Sequence, residues 1–423
     1  MHTVIVSRGR FPGYDGPARR VKYLGAGLAG NGCDVALVVS YPPNPVPCGP
    51  EFETAYGYRY MHTMTSRMTD STGILRKLYY KIRGTLNVYS SVGTIHAAKR
   101  VDAMLVCGVG FVELLVAWCT ARRFGIVLAV DKNDVNYRLK SQSRVGVYGL
   151  LSGINIALSD LLMTSCVDVI FTVNRHLHDL YSGRTAARVR YIIPSFVDRR
   201  ELDSPEHSED IDALFDHFDG FRFLSVVTTP PHSYGFVPFA EALGLLKSRY
   251  RFRLYLLCSK DKETLRRVHQ LLTAHGLQLL TTVLTEIAPE VVQSVYAGAD
   301  IILNAQQEPA IAEGGFPGKT AEILASRRPV VSTLFSDVHK YYVDGVNCLV
   351  VNYDDLNSYL TAITALCDSA DLRERIGREG RKTALGAFEY IAGTGPLKED
   401  LAQAVNDSRA VRERRYRHEP RLH

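Results

Sequence analysis

The segment EGGFPGKT, residues 313–320, ends in the Gly-Lys-Thr that also closes the phosphate loop of nucleotide triphosphatases. That loop needs a glycine five residues before its last one, directly after a strand, so that backbone N–H groups can wrap a phosphate. Glu313 occupies that position, and its carboxylate would stand against the phosphate charge. The strand-like run DIILNA (300–305) is separated from the segment by QQEPAIA. A triphosphatase loop is excluded. Gly314, Gly315 and Gly318 still leave backbone N–H groups free ahead of a helix starting near Gly318, so an anion cradle of another kind remains in view.

Outward from this segment the chain repeats one design. FRFLSVV (221–227), FRLYLLC (252–258), LQLLTTVL (277–284), DIILNA, RPVVST (328–333) and NCLVV (347–351) are strand-like runs between helical patterns. The N-terminal half matches them with TVIVS (3–7), DVALVVS (34–40), AMLVC (103–107), GIVLAV (125–130), DVIFTV (168–173) and VRYIIP (189–194). Continuous apolar strands separated by helices predict parallel sheets covered on both faces. The fold class is α/β, with two doubly wound, Rossmann-like parallel-sheet domains facing across a cleft. ELDSPEHSEDIDALFDHFDG (201–220), acidic and rich in turn formers, connects them. The expected division is an N-terminal domain over 1–205, a C-terminal domain over 206–390, a helix over 391–408 packing back toward the N-domain, and an unstructured basic tail over 409–423. Ligands of such sheets bind at the carboxyl ends of the strands.

Several classes drop out. GAGLAG (25–30) matches a dinucleotide fingerprint, but here the glycines close a helix instead of opening one after a strand. Close helix–sheet packing accounts for them better. The eight cysteines show no C-x-x-C spacing and several lie in apolar runs, which predicts buried thiols in a reducing, cytoplasmic setting and no zinc site. The start MHTVIVSRGR is not a signal peptide, and the longest apolar run, 103–120, is interrupted by Glu113 and Gly-Val-Gly. Residues 409–423 hold six arginines and two glutamates, and 71–100 holds six Lys and Arg with no acid. No zinc-finger or RNA-binding signature accompanies either patch, so nucleic acid is not a partner.

With two such domains in place, GGFPGKTAEILASRRPVVST (314–333) resembles the donor-binding segment of family-4 glycosyltransferases of the GT-B fold. YDGPARRVKYLGAGLAGNGCDVALVV (14–39) resembles that family's first Gly loop, helix and second strand. CVDVIFTVNRHLHDLY and VRYIIPSFVD (166–198) resemble the end of its N-terminal domain, while VYAGADIILNA and DVHKYYVDGVNCLVVNYDD resemble the elements flanking the donor. The matches keep the family's order over most of the chain.

The resemblance implies transfer of a sugar from a nucleotide diphosphate sugar to an acceptor hydroxyl, with retention of configuration and no metal or other cofactor. It places the diphosphate on the loop Gly314, Gly315, Phe316, Pro317, Gly318 with Lys319, and the ribose hydroxyls on Glu322. The family's Glu-x7-Glu is broken, because Gly314 stands eight residues before Glu322 and Glu313 is one place off. Where the family carries Arg and Lys after the first C-domain strand, this chain has VVTTPPHSYGFVPFAEAL (226–243), leaving His232 as the candidate cation. Gly13 and Gly16 allow backbone to approach the donor. The family's N-domain histidine is not evident; Asp131 and Asp134 in DKNDVNYR (131–138) are the candidates to orient the acceptor, or else to cap the next helix. GILRKLYYKIRG (73–84) sets Ile74, Leu75, Leu78, Tyr79 and Ile82 on one side, flanked by cations. Either it packs on the N-domain sheet, or it lies peripherally on the anionic inner face of a membrane and serves a lipid-linked or other glycan acceptor. The lost Glu and Lys keep a second class open, a catalytically weak binding or scaffold homologue, and a nucleotide-sugar epimerase is a third.

Overall fold

The computed structural model describes residues 1–9, 11–13, 16–40, 53–64, 74–108, 110–134, 147–203, 214–215, 218–227, 235–285, 287, 291–304 and 315–418. The chain divides into two compact units, Met1–Pro194 with Tyr390–His423, and Ser195–Glu389. The first unit runs β1 (His2–Ser7), α1 (Gly16–Gly30), β2 (Asp34–Val39), β3 (Glu53–Ala55), β4 (Tyr58–His62), α2 (Ile74–Ala98), β5 (Ala103–Cys107), α3 (Phe111–Phe124), β6 (Val127–Lys132), α4 (Val147–Cys166), β7 (Val169–Thr172), α5 (Arg175–Ser182) and β8 (Arg188–Tyr191). The second contains α6 (Arg199–Asp203), β9 (Phe221–Val227), α7 (Phe236–Leu246), β10 (Phe252–Cys258), α8 (Lys262–Ala274), β11 (Thr281–Leu284), α9 (Val292–Gly298), β12 (Ile301–Asn304), α10 (Thr320–Ala325), β13 (Val330–Ser332), β14 (Leu349–Val350), α11 (Leu356–Asp368) and α12 (Ala370–Ala387). Helix α13 (Tyr390–His418) then returns to the first unit.

In the first unit the described strands order as β3-β4-β2-β1-β5-β6-β7-β8. All pair in parallel except the β3–β4 hairpin. Every residue of β1 and β5 is buried, as strands covered on both faces require. The hairpin was not expected from the sequence. Its strands are short, and its turn, Tyr56-Gly57, has φ of 53° and 82°, the double left-handed geometry of a tight hairpin.

The glycines of GAGLAG are contact surfaces. A Cβ on Gly25 would lie 2.7 Å from the ring of Tyr58 in β4, which is the helix–sheet packing expected. On Gly27 it would lie 2.3 Å from Thr394 Oγ1 and 2.7 Å from the Tyr390 carbonyl, so this glycine lets α13 lie against α1. Asn31 Nδ2 donates to the Ile391 carbonyl at 2.7 Å, and Lys398 Nζ to the Asn31 carbonyl at 2.7 Å. The basic segment expected to be unstructured instead continues α13 to His418. Arg409 pairs with Asp102 at 2.5 Å and Arg412 donates to the Gly125 carbonyl at 2.8 Å, which ties this turn of helix to the unit.

The second unit is a parallel sheet with order β11-β10-β9-β12-β13-β14. Strand order reverses at β9, whose neighbours are β10 on one side and β12 on the other, so the switch point lies between β9 and β12. Phe223, Phe239, Leu254, Leu256, Tyr359 and Ile363 are fully buried or nearly so in its core. Phe215, at the end of the acidic connection, already belongs to this unit: its carbonyl accepts from Tyr255 Oη at 2.9 Å. Among the described residues no helix is long and apolar enough to cross a membrane.

Candidate functional site

Strands β12 and β13 end side by side at Asn304 and Ser332. Asn304 Nδ2 donates to Tyr342 Oη at 3.2 Å, and Ser332 Oγ donates to the Asn304 carbonyl at 3.0 Å. All three side chains are buried, and burial pushes the Tyr342 phenol far above its ordinary range, so it stays neutral. This polar layer is the floor under the segment that opened the sequence analysis.

The described part of that segment is tethered through its carbonyls. Gly315 O accepts from Ser336 Oγ at 2.8 Å, Pro317 O from the Thr320 N–H at 3.0 Å, and Gly318 O from Ser195 Oγ at 2.5 Å. Phe316 sits edge-on to Tyr341 at 5.5 Å and near Phe388 at 6.1 Å, an anchor for the loop. Ser336 adopts a left-handed φ of 47°, a strained conformation for a non-glycine, at the residue that holds Gly315. A Cβ on Gly318 would meet nothing within 4 Å, so the loop is open on that side. Ser195, Ser336, Tyr341 and Tyr342 were not singled out from the sequence. Serines in loops give no periodic signal, and the Tyr-Tyr pair sits in a segment with no regular pattern.

Lys319 precedes α10, and Glu322 lies in the first turn of that helix. Desolvation pushes the Lys319 ammonium down to about 8, against the opposing pull of the Glu322 charge. Glu322 is buried, as is the whole of α10. The helix is only six residues long and its Thr320 N–H is already taken by Pro317. Its dipole is therefore a smaller contribution than the sequence reading assumed, and the charge of Lys319 is the larger one.

On the first unit, Asp131 ends β6 beside Cys107 of β5. Its carboxylate is completely buried and faces Arg20 of α1: Nε donates to Oδ2 at 2.6 Å and Nη2 to Oδ1 at 2.8 Å. Arg20 also donates to the carbonyls of Ile193 and Pro194, at 3.3 and 3.1 Å. Burial works against the guanidinium, but Asp131 outweighs it and raises the Arg20 pKa. Both oxygens of Asp131 are thus committed inside the protein, and neither is open to an acceptor hydroxyl. Arg20 was missed, although an arginine inside the buried stripe Ala18, Val21, Tyr23, Leu24 signals a buried acid to meet it. Asp134 is exposed at the end of the same connection, and its charge opposes the burial that lowers the Lys132 pKa.

Gly13 follows β1, and Gly16 begins α1 with open space where a Cβ would stand. His232, Glu313 and Gly314 lie outside the described residues. Among the described residues no three His, Cys, Asp or Glu side chains converge as metal ligands would.

Residues 222–369 match the family model described as Glycosyl transferases group 1. A comparison with curated proteins finds no match. Among solved structures, the sucrose-phosphate synthase of Thermosynechococcus elongatus superposes with TM-score 0.70 at 17% identity, over 95% of this chain and 99% of that one. Anabaena HepE, solved in complex with UDP-glucose, gives TM-score 0.62 at 14% identity, over 96% and 100%. WaaG, a glycosyltransferase involved in lipopolysaccharide biosynthesis, gives 0.60 at 14%, over 94% and 99%. The fold is GT-B.

Proposed function

We infer that this chain, a GT-B protein whose residues 222–369 form a group 1 glycosyl transferase domain, transfers a sugar from a nucleoside diphosphate donor to an acceptor hydroxyl. The observation that carries the reading is the segment from Gly315 to Glu322. Its carbonyls are tied back to the protein, and it sets a desolvated lysine one turn from a buried carboxylate. The diphosphate is held by Lys319 with the loop Gly314, Gly315, Phe316, Pro317, Gly318, and Glu313 and His232 stand near the sugar and phosphates. Glu322 accepts from the ribose hydroxyls. Lys319 meets charge that grows as the diphosphate leaves, so the protein acts by positioning and electrostatic stabilisation. Transfer is with retention and requires no metal, and UDP is the nucleotide to try first, since HepE binds UDP-glucose. On the acceptor side, Asp134 is the accessible carboxylate. Asp131 acts through Arg20, whose contacts with Ile193 and Pro194 fix the end of the N-terminal chain. Gly13 and Gly16 border the donor.

The test is calorimetry with UDP and UDP-sugars on the wild type and Glu322→Ala. Loss of a charged acceptor for two hydroxyls should weaken binding by about 1.5–3 kcal/mol. Unchanged affinity in a folded variant would remove Glu322 from the site. Nucleotide binding with no turnover on any acceptor would favour the scaffold reading, which the missing family glutamate at Gly314 supports.

The acceptor is a lipid-linked or other glycan met at an anionic membrane surface. Tyr79, Ile82, Leu86 and Tyr89 are exposed on α2, with Arg76 and Arg83 on the same helix, while Tyr80 and Val88 face inward. Helix α3 packs between α2 and α4, and α4 exposes Leu150, Leu151, Ile154, Leu158 and Leu161. Apolar side chains on neighbouring helices beside cations fit a headgroup boundary. Co-sedimentation should depend on anionic lipid and fall with salt; indifference to both would leave a soluble acceptor.

A further inference from the structure

At the other edge of the second sheet, where its strands begin, a cavity of about 520 Å³ opens between α10 and α12. It is lined by Arg327, Arg328, Arg373 and Arg381, with Asp300 and Glu374. Asp300 directly precedes β12 and Pro329 precedes β13, so the cavity lies at the opposite strand ends from Asn304 and Ser332.

Four guanidinium groups around one cavity repel one another unless an anion joins them. The two acids do not supply it. Both oxygens of Asp300 are engaged by Arg222, at 3.1 and 3.0 Å from the guanidinium and 2.8 Å from its backbone N–H. Glu374 lies 3.9 Å from Arg327 and is 67% exposed. The arginines are also held in place: Arg328 Nε donates to the Ala297 carbonyl at 2.6 Å, Arg373 Nη1 to Leu366 at 2.5 Å, and Arg381 Nη1 to Ala325 at 3.2 Å. Arg327 has a left-handed φ of 63°, where glycine would be relaxed. Gly377 of α12 presses on this turn so closely that a Cβ there would lie 2.2 Å from the Arg327 carbonyl. The fold accepts backbone strain and crowding to hold a cation at this position.

We propose that this cavity binds a phosphate dianion, free or as the monoester of a small molecule, through Arg327, Arg328, Arg373 and Arg381. Guanidinium groups match phosphate oxygens in forked geometry, and the lining carries an excess of two positive charges, equal to the dianion. The volume leaves room for an organic group beside the phosphate. Helix α10 runs from Lys319 at its start to the Arg327–Arg328 turn beyond its end, so the two sites share one short element.

The experiment is calorimetry of the full chain with inorganic phosphate and with glycerol 3-phosphate, chloride holding ionic strength constant. Arg327→Gly removes the charge while suiting the left-handed backbone, so the variant folds. Lys319→Met separates this site from the nucleotide loop. Saturable binding that weakens at least tenfold in Arg327→Gly and persists in Lys319→Met is the expected result. Tighter binding of the ester identifies the ligand as an esterified phosphate, and equal binding as the free ion. No saturable binding above the chloride control overturns the proposal. So does binding lost in Lys319→Met but kept in Arg327→Gly, which would place the phosphate on the loop.

Discussion

Asp131 and Lys319 are both charged groups taken out of water, one satisfied by the protein and one not. Asp131 has Arg20 on both oxygens, so Asp131→Asn leaves a buried guanidinium uncompensated. Chemical denaturation should show a loss of about 3–5 kcal/mol; a loss under about 1 kcal/mol would mean that water reaches the pair. For Lys319, folding lowers the pKa to about 8, so the folded chain sheds the proton more readily than the unfolded one. The resulting penalty is fully present below about 8 and fades as pH rises toward the free-lysine value of about 10.4. Lys319→Met should therefore match or exceed wild-type stability at pH 7, lose the wild type's relative gain between pH 8 and 10, and bind UDP more weakly. Stability and affinity falling together would make the lysine structural. Such a trade is common where a site holds strain for a ligand.

At the scale of elements, α1 shows what could be read in advance. Its position after β1 and its small residues were legible, because a strand–loop–helix order excludes the dinucleotide fingerprint. The partner of Gly27 was not. Thr394 lies far along the chain, and close packing of small residues does not say against what. The Arg20–Asp131 pair, separated by 111 residues, was unreadable for the same reason. The β3–β4 hairpin was missed because its turn uses Tyr56 where Asn or Asp usually marks the double left-handed geometry. At the site, Lys319 and Glu322 were legible from the motif, whereas the floor of Asn304, Ser332 and Tyr342 comes from three separate elements. Gly27→Val should push α13 away from α1 and cost about 1–3 kcal/mol in thermal or denaturant unfolding. Gly16→Ala, with open space around it, should be neutral or stabilise by about 0.4–1 kcal/mol. If both behave alike, packing at Gly27 is not what selects glycine.

Across the whole molecule the two units have separate cores, and only the second carries the proposed nucleotide segment. UDP at 100 times its dissociation constant should raise the stability of that unit by about 2.7 kcal/mol. Gly27→Val should lower the unfolding transition of the first unit while leaving UDP affinity unchanged; a matching loss of affinity would contradict the separation. The first unit is also interrupted, since its chain leaves at Pro194 and returns at Tyr390. During synthesis the shelf on α1 that receives α13 must wait for the whole intervening unit to emerge, roughly 10–40 s at ordinary elongation rates. The part made second, one unbroken stretch, can finish folding before the part made first. Throughout that interval the nascent N-terminal unit presents an open apolar seam, a natural substrate for chaperones at the ribosome exit. A premature stop after Glu389 would leave the chain of the second unit whole, and the damage would fall on the half of the molecule already translated.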